Sequence, residues 1–89
     1  MKEYGNWKIV DDRAGVTYIK VIDFPVRPGC EFAGESMWVK VAEGGDYAGK
    51  GTLCNEPSFC DDVKLGDLIE YGGGTEDGKP QYKGKVKAS

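Results

Sequence analysis

Histidine is absent from the 89 residues of this chain. That absence excludes Ser–His and Cys–His nucleophilic pairs, imidazole metal ligands and a histidine pH switch. Arginine is scarce: of 12 basic residues only Arg13 and Arg27 carry a guanidinium. Two forks are a thin supply for bidentate phosphate recognition. The three cysteines, Cys30, Cys54 and Cys60, are an odd number and none is spaced Cys-x-x-Cys. Three reduced thiols are therefore expected, with Cys54 and Cys60 acting as small hydrophobes. A zinc site would need a fourth ligand, and only Asp61 or Asp62 beside Cys60 offers one. No apolar run approaches the roughly 20 residues of a membrane span. The opening run Met1 to Asn6 is polar and predicts no secretory signal, so a cytoplasmic location is expected.

What remains is an ordinary globular composition. Charged residues are 30%, hydrophobic residues 39% and aromatic residues 11%, with a net charge of −3. So many aromatics argue against disorder. The acidic balance offers no general attraction to nucleic acid or to an anionic membrane, and neither partner is expected.

The apolar pattern has period two, which is the signature of strands. It runs through Trp7 and Ile9, then Val16, Tyr18, Lys20 and Ile22, then Met37, Val39 and Val41. It continues through residues 47–53, through Leu68, Ile69 and Tyr71, and through Tyr82, Gly84 and Val86. Glycine and proline punctuate these runs at 11–15, 25–29, 43–46 and 72–79. Gly49 and Gly51 inside one strand predict a bulge or tight bend. Only 58–65 could hold a helical turn, at most one and short, with Asp61 and Asp62 suiting its start and Gly66 its end. The prediction is a single small β domain over residues 1–89. It is all-β, a barrel of SH3-like or OB-like kind with about six short antiparallel strands, and a sandwich is the alternative.

Three phrases stand in order: E-x-M-W-V at 35–39, G-x-L-x-N-x-P at 51–57 and K-L-G-D-x-I at 64–69. Together they resemble the YegJ-like family, small bacterial domains of unknown function, over residues 34–71. The resemblance brings no catalytic residues and implies a binding or accessory role. Physically, Met37-Trp38-Val39 puts Trp38 on the face opposite the core. Asn55 suits a turn by bonding its own backbone, Pro57 extends Glu56, Gly66 supplies positive φ and Asp67 caps the turn.

The search for chemistry yields little. Asp11-Asp12, Asp61-Asp62 and Glu76-Asp77 are loop carboxylates, and adjacent loop carboxylates are usually solvated. Glu56 with Asp61 and Asp62 lacks the D-x-D-x-D-G spacing of a calcium loop. Gly72-Gly73-Gly74 lacks the Walker pattern. Lys79, Lys83, Lys85 and Lys87 suit a solubilised edge strand better than a phosphate track, with Tyr82 as a stacking candidate. No catalytic residue, metal or cofactor is expected.

Exposed aromatics are the best functional signal. Trp38 near Tyr18 or Tyr47 would form an apolar platform, unless an N-terminal segment with Trp7 closes over it. The expected function is a non-enzymatic binding module of bacterial or phage origin, monomeric or homo-oligomeric. It would be a protein-interaction or immunity-type inhibitor acting through Trp38, Tyr18, Tyr47, Trp7, Arg13, Arg27, Asn55 and Glu56. One alternative is a small-molecule or nucleotide sequestering protein acting against host defence signalling. Another is a hydrolase using Asp61, Asp62 or Cys60.

Overall fold

A computed structural model of the chain describes residues 2–31, 34–76 and 78–86, with residues 2–4 as backbone alone. Seven strands run in order: β1 (Lys2–Tyr4), β2 (Lys8–Asp11), β3 (Val16–Phe24), β4 (Glu35–Gly44), β5 (Gly49–Leu53), β6 (Leu68–Gly72) and β7 (Gln81–Lys85). Neighbours in the sheet are neighbours in sequence throughout, and β3 also pairs with β7. Five strands, β3 to β7, thus close a small all-β barrel, and β1 and β2 extend β3 outside it. A meander has no Greek-key return, which is the mark of an OB fold.

Two details differ from the sequence-based expectation. Residues 2–4 form a seventh strand, which their polar composition concealed. The closing pair, Ile22 beside Gln81, is parallel. Each hairpin reverses the chain, so the fifth strand of a meander runs in the direction of the first. Closure of an odd-stranded meander must therefore be parallel.

β3 makes closure possible by bending. Its first half pairs with β2 and β4, and near Ile22 it reaches β7 through a bond from the Ile22 amide to the Pro80 carbonyl, 2.9 Å. Between Val21 and Phe24 the register shifts, and Asp23 adopts φ 62°. Asp is among the few side chains that tolerate this left-handed geometry.

On β4 the alternation sorts residues as expected, and on β3, whose two faces both carry apolar residues, Ile19 and Val21 are the ones turned inward. Ile19, Val21, Met37, Val39, Leu53 and Ile69 point inward and are buried. Val39 lies beside Ile19 and Leu53, so one core row crosses three strands. Phe24 and Tyr82 stack inside with ring centroids 4.6 Å apart. Tyr82 is therefore half-buried against the core, its ring committed to Phe24 and not to the surface stacking considered from sequence. β7 is likewise no free edge, since it pairs with β6 and touches β3. Lys87 lies outside the described residues.

No helix forms among the described residues, and 58–65 belongs to an irregular loop. That loop still contributes to the core through Cys60 and Val63. Gly66 has φ 92°, and the Asp67 carboxylate accepts a bond from the Lys64 amide at 2.8 Å, as the turn reading required. That bond, with the Lys85 ammonium, holds the Asp67 carboxyl below the usual range.

Gly51 faces the core where β5 crosses β4. A Cβ there would lie 2.4 Å from the Lys40 carbonyl oxygen and 2.5 Å from Val39 Cγ1. The carbonyl oxygen cannot retreat without moving the sheet, and the Val39 methyl is hemmed in by the packed core. Gly51→Ala is expected to cost about 3 kcal/mol by urea unfolding. The Tyr71 hydroxyl donates to the Gly45 carbonyl at 2.7 Å. Burial, reinforced by the Asp46 charge, pushes its pKa up to about 12. An unfolded tyrosine titrates near pH 10, so this contribution is complete below about pH 10. It is lost as pH rises towards about 12. Burial also raises Tyr82. Unfolding followed against pH should show stability falling over that alkaline window. Tyr71→Phe should flatten part of the fall and lower neutral stability by about 1 kcal/mol.

Candidate functional site

The outer face of β2, β3 and β4 gathers the aromatic candidates. Inward-facing Ile19 and Val21 oblige Tyr18 and Lys20 to point outward. Lys20 lies opposite Trp38, and Tyr18 opposite Lys40. Cross-strand partners share a face, so two aromatics and two lysines alternate on adjoining strands. Ile9 continues the surface beside Tyr18. Trp38 is half-buried, and the Lys20 ammonium stands 5.7 Å from its ring centroid. Such a contact contributes about 0.5–1 kcal/mol. Gly5 and Asn6, in the β1–β2 turn, form the rim of an open hollow of about 300 Å³ with Ile9, Lys20 and Trp38. Trp38 is thus flanked by the N-terminal segment and remains open to solvent.

Trp38 is held at its backbone on both sides. Its amide donates to Asn55 Oδ1, and its carbonyl accepts from the Cys54 amide at 2.9 Å. Asn55 therefore bonds across to β4 instead of to its own turn as the sequence suggested. Its side-chain acceptor meets an amide inside β4, just beyond the last ladder pair of β4 with β5, Val39 beside Leu53.

The remaining predicted site residues are scattered. Tyr47 sits in the β4–β5 loop and stacks on Trp7, with centroids 6.5 Å apart and planes 19° from parallel. It belongs to the barrel mouth, not to the Trp38 surface. Arg13 is exposed in the β2–β3 turn, where its amide donates to Asp11. The Arg27 guanidinium donates to the Ser58 carbonyl at 2.6 Å and lies 3.2 Å from Asp61. Arg27 is therefore a strut of the 54–67 loop. Glu56 is exposed on the same loop, beside an open hollow with Pro57, Cys60 and Asp61. Among the described residues, no three His, Cys, Asp or Glu side chains converge to hold a metal ion.

Sequence reasoning missed Glu35. Its carboxylate accepts three consecutive backbone amides: Ser58 at 2.8 Å, Phe59 at 2.9 Å and Cys60 at 3.1 Å. This clamp satisfies three consecutive amide donors of the irregular loop. It pins the loop carrying Asn55 against the start of the strand carrying Trp38. Backbone amides carry no residue identity, so no pattern in the sequence marks such a partner.

No protein-family model matches the chain, and no curated protein or solved structure matches it either.

Hydrogen bonds to a charged group contribute about 1.5–3 kcal/mol each when shielded, and less when exposed as here. Glu35→Ala is expected to lower global stability by about 1–2 kcal/mol. The amides of residues 58–60 should exchange hydrogen at least about tenfold faster, while those of β3 change far less.

Proposed function

We propose that this chain is a non-enzymatic binding module that docks a protein partner through the outer face around Trp38, in the manner of an accessory or inhibitor protein. The observation that supports this reading is the alternation of Trp38 and Tyr18 with Lys20 and Lys40 across β3 and β4. Aromatic rings carry much of the binding energy at protein interfaces, because each buries a large area at low entropic cost, while flanking lysines steer association. The face is framed by Ile9 and Asn6, apolar and polar, as an interface centre and rim require. Its cations sit on a chain of net charge −3, so the patch differs in sign from the molecule as a whole. That contrast orients an approaching partner.

Trp38 would serve as the anchor, with Tyr18 and Ile9 completing the apolar contact. Lys20 and Lys40 would steer association. Asn55 and the Cys54 amide hold the Trp38 backbone, and the Glu35 clamp holds the loop that carries them, so the anchor is presented on a braced strand.

The test is a pull-down from a bacterial lysate with the wild-type chain and Trp38→Ala, followed by titration of each captured protein. Trp38→Ala should weaken the genuine partner at least about thirtyfold, the mark of a hot spot. Lys20→Met with Lys40→Met should slow association and reduce its salt dependence. Circular dichroism and thermal melting check that the variants fold. Equal affinity of wild type and Trp38→Ala for every captured protein would sink the reading.

A further inference from the structure

One strand, β2, links the mouth of the barrel to the Trp38 face. Side chains alternate along it, so Lys8 and Ile9 point to opposite sides. The Lys8 ammonium pairs with Asp46 in the β4–β5 loop, at the mouth. Ile9 lies beside Tyr18 on the outer face and borders the hollow with Trp38. Trp7, just before β2, stacks on Tyr47 of the same loop. Its carbonyl accepts from the Lys20 amide at 2.8 Å, and Lys20 stands opposite Trp38. Whatever holds Trp7 and Lys8 at the mouth therefore also holds Asn6 and Ile9 beside Trp38.

The fixed side of these contacts is firm. The Tyr47 carbonyl accepts from the Gly74 amide at 3.0 Å, and the Gly45 carbonyl accepts from the buried Tyr71 hydroxyl at 2.7 Å. The β1–β2 side is lightly held. β1 pairs with β2 alone, and β2 adds its ladder to β3 over Lys8–Asp11. None of the four β2 residues is fully buried. The core is drawn from β3 to β6 and the 54–67 loop, and among the described residues of the arm only Trp7 packs against it. An element with so little buried apolar area opens at lower free energy than the body it flanks. At the far end of β2 the Asp11 carboxylate accepts the Arg13 and Ala14 amides, 3.1 and 3.3 Å, and Gly15 takes φ 67°. That compact turn stays closed and acts as the hinge, so opening starts at the Trp7 end.

We infer that the β1–β2 arm is a hinged flap, latched at the barrel mouth by the Lys8–Asp46 pair and the Trp7–Tyr47 stack, and that its closure sets the exposure of Trp38. Latched, the arm keeps Asn6 and Ile9 at the rim of Trp38 and the Lys20 amide bonded. Released, it uncovers the indole on that side and removes Ile9 from the outer face. As regulation of docking, this rests on the reading of the Trp38 face given above. The flap itself does not, and it is measured on the free chain without a partner.

Amide hydrogen exchange by NMR compares the wild-type chain with Asp46→Asn and with Tyr47→Ala. In each variant the protected amides of β2, and that of Lys20, should exchange at least about tenfold faster, while those of β6 change less than about twofold. An equal rise in β2 and β6 overturns the flap as a separately opening unit. No rise at β2 in either variant overturns the latch. The link to Trp38 is read with 5-fluorotryptophan, whose two fluorine resonances are assigned by Trp38→Phe. In the double variant, Asp46→Asn with Tyr47→Ala, the Trp38 resonance should shift towards its position in the urea-unfolded chain, although Trp38 touches neither substituted residue. An unchanged Trp38 resonance beside faster β2 exchange overturns the control of Trp38 by the arm. Failure to find a docking partner would overturn the docking reading and leave these measurements as they are.

Discussion

Closure of the barrel at β3 and β7 is the constraint on which the rest of this structure depends. A sheet with no helix to cover it must dispose of its edges, and a short chain has little apolar area with which to do so. Here one strand, β3, belongs to two pairings in succession. Its bend at Asp23 turns it from β4 towards the segment around Pro80 and Gln81. Phe24 follows the bend and meets Tyr82 inside, so the closing contact is aromatic as well as hydrogen-bonded. Gly51 allows β4 and β5 to approach closely enough for the same core to be filled.

Closure also determines where functional chemistry can lie. The interior is filled by side chains, and that leaves the convex outer face, the long 54–67 loop and the mouth. The loop is bound by Glu35 and Arg27 and is largely committed to structure. The outer face carries the alternating aromatics and lysines. At the mouth, the turn before β2, the β4–β5 loop and Gly74 after β6 meet, and a stack, an ion pair and a backbone bond hold them together.

Much of the fold was legible because strand alternation is a local property. Met37 and Val39 inward with Trp38 outward follows from three consecutive residues. The Gly66 and Asp67 turn follows from four. Residues 2–4 were not legible as a strand, because their pairing with β2 is made by backbone groups that every residue possesses. At 58–65 the chain forms an irregular loop, within the expectation of at most one helical turn, and the carboxylate that binds its amides lies 23–25 residues away, beyond the reach of any local signal. For the site, residue type identified Trp38, Tyr18, Trp7 and Tyr47 as worth following, without dividing them between two places. Arg27 and Asn55 were singled out for their chemistry, and both turned out to spend it on the protein's own backbone.

By itself, the amino-acid sequence determined the class of this protein: an all-β chain with period-two apolar runs and glycine-rich turns. It also determined what the chemistry lacks, since no fold can supply an imidazole the chain does not contain. Tertiary structure alone decided the parallel closure, the capture of the loop by Glu35 and the assignment of Trp7 and Tyr47 to the mouth and Trp38 to the outer face. The physical reason is range. Side-chain periodicity acts over two to four residues and is written locally. Closure, clamping and stacking join groups that lie far apart in the chain, and they exist only once the sheet has curled on itself.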